Sequence, residues 1–176
     1  MTRRRRGRLA ALAVVLVAAA PAAATLEAQS VLSIRSSAFK RGGPIPTLFT
    51  CEGANVSPAL AWTAPPQGTR SFALLVDDPD APRGTFTHWT AWGIGPTVRG
   101  LGQGRAAPRE GLNDAGRVGY LGPCPPPGDG PHRYRFKLHA LDTVLKLPRG
   151  ASKEAFKAAL RGHVLAVAQL VGTYER

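Results

Sequence analysis

The chain has 176 residues, with 23 Lys or Arg against 11 Asp or Glu and a formal net charge of +12. Five of the arginines fall within residues 1–24, which hold no acid, so the remainder carries only +7. Its basic residues are scattered singly, without a stripe interleaved with aromatics, and this excludes a nucleic-acid-binding tail.

The first 24 residues read as a secretory signal peptide. Arg3, Arg4, Arg5, Arg6 and Arg8 make a cationic start, and Leu9 to Ala20 is almost purely apolar but short for a bilayer span. Ala22-Ala23-Ala24 has the A-x-A form of a cleavage site, so cleavage is expected after Ala24, with Ala28 the alternative. An uncleaved anchor is the competing reading. No second apolar run is long enough to cross a membrane, which predicts a periplasmic or secreted product without stable membrane insertion. What remains, residues 31–176, suits one domain with a sizeable core. In an oxidising compartment Cys51 and Cys124 form one bridge or stay as two buried thiols; they lack C-x-x-C spacing.

Pro and Gly punctuate the chain and leave short segments between them, the pattern of a β-rich domain. Ser71 to Asp78 reads as a largely buried strand, with Phe72, Leu74 and Val76 on one face. Phe86 to Ile94 is a second strand, in which Phe86, His88, Thr90, Trp92 and Ile94 alternate with Thr87, Trp89, Ala91 and Gly93. Gly95 to Gly119 has little apolar periodicity and reads as a loop-rich crossing. From His132 to Leu141 the alternation is clearest: His132, Tyr134, Phe136, Leu138 and Ala140 face the core, and Arg133, Arg135, Lys137 and His139 face away. Ser152 to Arg161 is the best helix, capped by Ser152, with Phe156 and Leu160 as an i, i+4 apolar pair. Ala166 to Tyr174 returns as a strand, unless Val164 to Leu170 prolongs the helix.

The chemistry concentrates on two stretches. In Asp78-Pro79-Asp80-Ala81-Pro82 the prolines stiffen a pair of carboxylates, and His88 follows on the next strand. Downstream, Tyr120-Leu121-Gly122-Pro123-Cys124-Pro125-Pro126 runs toward His132-Arg133-Tyr134. Two imidazoles and a phenol can donate hydrogen bonds to an oxyanion, and Asp78 can orient an imidazole or hold an ammonium group. Gly122 allows close backbone approach. The bland alternative is that these histidines are satisfied core residues and the aspartates cap turns. Asp78, Asp80, His88 and His132 have metal-ligand chemistry but no H-E-x-x-H-like spacing, so no metal is expected. No Gly-x-Ser-x-Gly elbow is present, and the sequence neighbours Asp78 and Asp80 do not establish the separation that paired glycosidase carboxylates need, so no turnover or cofactor is expected.

These two stretches, in this order, resemble the paired signature of the phosphatidylethanolamine-binding protein family, most closely its bacterial Raf-kinase-inhibitor-like branch. Phe49-Thr50-Cys51-Glu52-Gly53, Asn55, Ser57-Pro58, Gly111-Leu112-Asn113-Asp114 and Val171-Gly172-Thr173-Tyr174 extend the likeness over nearly all of residues 31–176. The resemblance implies a mainly β fold, a two-sheet antiparallel β-sandwich-like single domain with a few short helices, one near the C-terminus. It implies a small anion pocket lined by Asp78, His88, His132 and Tyr134, with walls shaped by Asp80, Pro82, Tyr120, Gly122, Pro125 and Pro126. A cis peptide at Ala81–Pro82 is a further expectation. Phe86 stands where eukaryotic members commonly have Trp, so headgroup preferences do not transfer unchanged. The expected partner is a small anionic ligand or phospholipid headgroup. The alternative is a protein partner, such as a protease or hydrolase inhibited through the pocket rim. A homodimer is left open.

Overall fold

The computed structural model describes residues 31–176. The signal peptide expected over residues 1–24, and cleavage after residue 24 or 28, lie outside the described residues. Among the described residues eight strands, β1 (Ile34–Ser36), β2 (Leu60–Trp62), β3 (Ser71–Asp78), β4 (Phe86–Ile94), β5 (Gly100–Leu101), β6 (Arg109–Glu110), β7 (His132–Leu141) and β8 (Val164–Tyr174), form two sheets. The larger runs β6-β4-β3-β7-β8 and the smaller β1-β2-β5, with antiparallel pairing throughout. A 3-10 turn covers Thr47–Phe49, and an α-helix, α1, spans Lys153–Leu160. The expected mainly β architecture with a helix near the C-terminus holds. Among the described residues no helix is long and apolar enough to cross a membrane.

β3 lies at the centre of the large sheet and is buried along its whole length, which explains its unbroken apolar run. Phe72, Leu74 and Val76 meet Ile34, Leu60 and Trp62 of the small sheet. Ala73 and Leu75 face the other way, into a second cluster with Trp92 and with Phe156 and Leu160 of α1. The large sheet is therefore a middle layer. α1 is anchored as expected: Ser152 accepts the Ala155 N–H, and Phe156 and Leu160 are its buried residues.

The expected C-terminal strand holds, starting two residues earlier than read, its helical alternative falls, and the alternation read along β4 needs correction. Gly162 takes φ +79°, which ends the helix instead of prolonging it, and β8 begins at Val164 as the partner of β7. Strict alternation also fails along β4, because the strand carries two irregularities against β3. Phe72 pairs with Ile94 but Leu74 with Ala91, and Gly93 at φ +73° supplies the left-handed residue of that bulge. Val76 pairs with Trp89 but Asp77 with Thr87, so His88 is the extra residue of the second. The bulge lets adjacent residues serve one side: Trp89 enters the inter-sheet core while His88 packs on Tyr134 of that same core. Within the crossing 95–119, β5 joins the small sheet and β6 the large one.

Candidate functional site

Antiparallel pairing brings the end of β3 and the starts of β4 and β7 to one end of the large sheet. A cavity of about 490 Å³ opens there. Asp78, Pro82, His88, Pro125, Pro126, His132 and Tyr134 line it, as do Phe86, Leu121 and Cys124. Arg83, Asp114 and Lys153 complete the charged part of the wall.

Three expected residues do not line the cavity. The Asp80 carboxylate turns to Arg133, accepting from its backbone N–H at 2.9 Å, its Nε at 2.9 Å and its Nη2 at 2.6 Å. The guanidinium hydrogen bonds hold the Asp80 carboxyl down at about 2, against partial burial. Asp80 is thus a clamp between the two motif loops. Tyr120 donates its hydroxyl to the Phe49 carbonyl at 2.8 Å and packs edge-on against Trp89. Burial raises the Tyr120 pKa, so it stays a phenol. Gly122 gives its N–H to Asn55 Oδ1 at 2.6 Å, and a Cβ there would stand 2.3 Å from the Phe49 carbonyl oxygen. The Cys51–Cys124 disulfide and a 3.0 Å bond from Cys51 N–H to the Pro123 carbonyl fasten the same two loops. Tyr120 and Gly122 therefore stand behind the wall and hold it.

The Ala81–Pro82 peptide is trans, as are all peptides among the described residues. The turn is closed by Gly84 N–H on the Ala81 carbonyl at 3.0 Å, which puts Pro82 at the second position, where a trans proline fits. Asp78 Oδ1 accepts the Asp80 N–H at 2.8 Å and sets the loop without a cis bond.

The two cavity histidines differ. His132 Nδ1 meets Asp78 Oδ2 at 2.7 Å, and Nε2 meets Asp129 Oδ2 at 3.2 Å. Carboxylates only accept, so both nitrogens donate and the ring suits an imidazolium. Burial pulls its pKa down, but the hydrogen bonds to Asp78 and then Asp129 outweigh burial and the net shift is upward. No ring nitrogen of His132 is left for a ligand, contrary to the expectation of two donating imidazoles. His88 Nδ1 donates to the Leu121 carbonyl at 2.8 Å, which leaves Nε2 as its remaining polar atom. Burial, the largest influence, lowers the His88 pKa, so near pH 7 Nε2 is an acceptor.

Tyr134 lines the cavity beside His88, its ring edge-on to the imidazole at 5.2 Å between centroids. Its hydroxyl is buried with no hydrogen-bond partner among the described residues. The Cys124 backbone lies close enough to ease its pKa slightly, short of hydrogen-bond geometry, while burial raises it overall. Asp114 Oδ2 accepts the Thr87 N–H at 2.8 Å and Lys153 Nζ at 2.7 Å. Reading the sequence for site residues missed Arg83, Asp114, Asp129 and Lys153. The one available signal was a lysine in the first turn of α1, where the helix dipole disfavours a cation. Among the described residues no three His, Cys, Asp or Glu side chains converge as a metal site.

A β-sandwich whose cavity lies between two proline-rich loops, joined by an aspartate–histidine pair, defines the structural class. The chain matches the phosphatidylethanolamine-binding protein family over residues 35–175 and belongs to it, on the bacterial branch. It is 44% identical over 154 residues to a UPF0098 protein of Aquifex aeolicus, covering 84% of this chain and 90% of that one. LppC of Mycobacterium tuberculosis, a lipoprotein candidate by name, is 44% identical over 146 residues, covering 82% and 72%. The crystal structure of YbcL from E. coli, a member of the mammalian PEBP family by its description, superposes with a TM-score of 0.79. It is 34% identical, with 84% of this chain and 99% of YbcL covered.

Proposed function

We propose that the cavity binds the oxyanion of a small ligand, a phosphoryl group free or in a phospholipid headgroup, without turnover and in the cell envelope. The observation that carries this reading is the pairing of an unpartnered buried donor, the Tyr134 hydroxyl, with an acceptor, His88 Nε2, on one cavity wall. A singly protonated phosphoryl group matches both: its O–H donates to His88 Nε2 and a second oxygen accepts from Tyr134. An unsatisfied buried hydroxyl costs about 1–3 kcal/mol, which a ligand oxygen recovers. The His132 imidazolium also lines the cavity, but Asp78 and Asp129 hold it in place and offset its charge, so the oxyanion contacts fall to His88 and Tyr134.

Binding without turnover is supported by the state of the reactive groups. The Cys124 sulfur is tied in a disulfide, and the hydrogen-bonded His132 has no nitrogen free to take a proton. The family name points to a phosphoethanolamine headgroup, and LppC, by its name, to the envelope. The disulfide agrees with an oxidising compartment.

Calorimetric titration of residues 31–176 with inorganic phosphate and with phosphoethanolamine, beside Tyr134→Phe, tests the reading. Saturable binding that weakens about tenfold or more in a folded Tyr134→Phe supports it. Absence of binding at millimolar ligand overturns it.

A further inference from the structure

The cavity is larger than the group just assigned to it. About 490 Å³ is the size of a small-molecule pocket, whereas His88 and Tyr134 account for one oxyanion. The remaining wall is charged. Asp78 is engaged by His132, and Asp114 by Lys153. Arg83 lies on the turn after Pro82, is exposed, and has no carboxylate partner among the described residues. The wall that holds Arg83 and Lys153 thus has cationic capacity that the internal ion pairs do not use.

Lys153 does not serve its own helix. It is the first residue of α1, where the dipole favours anions, and Ser152 and Glu154 already supply the cap and the acid of the first turn. Its ammonium gives one hydrogen bond to Asp114 and keeps two further donors. Asp114 in turn is fixed by the Thr87 N–H, one residue before His88, so the ammonium is held to the strand that presents the oxyanion site. Its side chain is 29% exposed, partly withdrawn from water and open on the cavity side.

We infer that Lys153, with Arg83, forms a second anion subsite, so that the ligand is a phosphoryl compound whose substituent carries another anionic group, such as a carboxylate. This rests on the oxyanion reading of the inner wall and adds the chemical class of the substituent. Asp114 serves as the positioning residue that keeps the Lys153 ammonium at the wall. A bare phosphoethanolamine would leave both cations unused and bring its own ammonium toward them.

The test compares phosphoserine with phosphoethanolamine, which differ by one carboxylate, by calorimetry on residues 31–176, Lys153→Gln and Arg83→Gln, with thermal melting of each. Phosphoserine is expected to bind the unaltered protein about tenfold more tightly, and that ratio falls to about twofold or less in each variant. A lysine that merely neutralised Asp114 would change the melting temperature and leave the ratio untouched. Equal affinities on the unaltered protein, or a ratio that survives both substitutions, overturns the second subsite while leaving the oxyanion site standing. If neither compound binds a folded protein, the oxyanion reading fails and this inference falls with it.

Discussion

His132 and His88 stand at one cavity in opposite protonation states, and the difference comes from their partners. Two carboxylates clasp His132, whereas a single backbone carbonyl takes the His88 Nδ1 proton and burial keeps its ring neutral. One histidine is favoured as a cation by its carboxylates and the other is a proton acceptor waiting for an acid. This asymmetry decides how binding should depend on pH.

An anion beside His88 favours the imidazolium, so binding raises a pKa that the free protein holds below 6.5. Protons are then taken up on binding, and affinity rises as pH falls from 7 toward the pKa of the free protein. Sulfate, which does not titrate in this window, isolates the protein's share. Calorimetry in buffers of different ionisation enthalpy should show proton uptake with sulfate, and none with His88→Gln. Uptake that persists in His88→Gln would assign the proton to another group.

Tyr134 and Tyr120 should separate binding from stability. Tyr134→Phe removes a hydroxyl with no hydrogen-bond partner among the described residues, so its folding stability should change little or rise while phosphate affinity falls. Tyr120→Phe removes a bond to the Phe49 carbonyl and should cost about 1 kcal/mol of stability. Urea unfolding of both, beside titration, reads the contrast. A common loss in both quantities would contradict the assignment of one to the cavity and the other to the wall.

Much of this arrangement is legible in the sequence, for identifiable reasons. Strands over 71–78, 86–94 and 132–141 stand out as an unbroken apolar run in the first and alternating runs in the others, set off by Pro and Gly, and Ser152 announces α1. The joint placement of Asp78, His88, His132 and Tyr134 follows from those strand ends. What is not legible depends on register. The bulge at His88 breaks a period-2 reading with nothing local to flag it, because the extra residue shows only against β3. Asp80 reads as a second cavity carboxylate because its partner, Arg133, arrives from 53 residues away. Lys153 comes to the wall only through the packing of α1 beneath the sheet, with Asp114 as the contact.

Asp80 makes a prediction for acid stability. Its carboxyl lies at about 2 in the folded protein against an ordinary 3.8, so its stabilisation is complete above about 4 and is lost as pH falls toward 2. His132 has the opposite sign: its pKa is raised in the fold, so its contribution is complete below 6.5 and is lost as pH rises through the folded value. Stability should therefore decline on both sides of a mildly acidic to neutral optimum. In Asp80→Asn the acid limb should flatten, with a loss of about 1 kcal/mol at neutral pH after allowance for solvent screening. Thermal melting from pH 2 to 9 checks both limbs.

The wall behind the cavity gives the last prediction. Cys51 and Cys124 close a loop across 73 positions, and chain entropy alone assigns such a cross-link about 4 kcal/mol. Cys51→Ser with Cys124→Ser should therefore lower unfolding stability by several kcal/mol. The three hydrogen bonds Tyr120–Phe49, Gly122–Asn55 and Cys51–Pro123 remain to hold the wall. Under conditions where the double variant stays folded, phosphate affinity should fall by less than about threefold, because no cavity donor is lost. Gly122→Ala works differently. Its new methyl meets the Phe49 carbonyl oxygen at 2.3 Å and Thr50 Cα at 2.8 Å, so the wall itself must move. That overpacking costs about 1–3 kcal/mol and shifts the Leu121 carbonyl that fixes the His88 tautomer. Gly122→Ala should thus weaken phosphate binding more than loss of the disulfide does, despite costing less stability. A reversed order in the two titrations would show that the covalent link, and not the close backbone contact at Gly122, shapes the cavity.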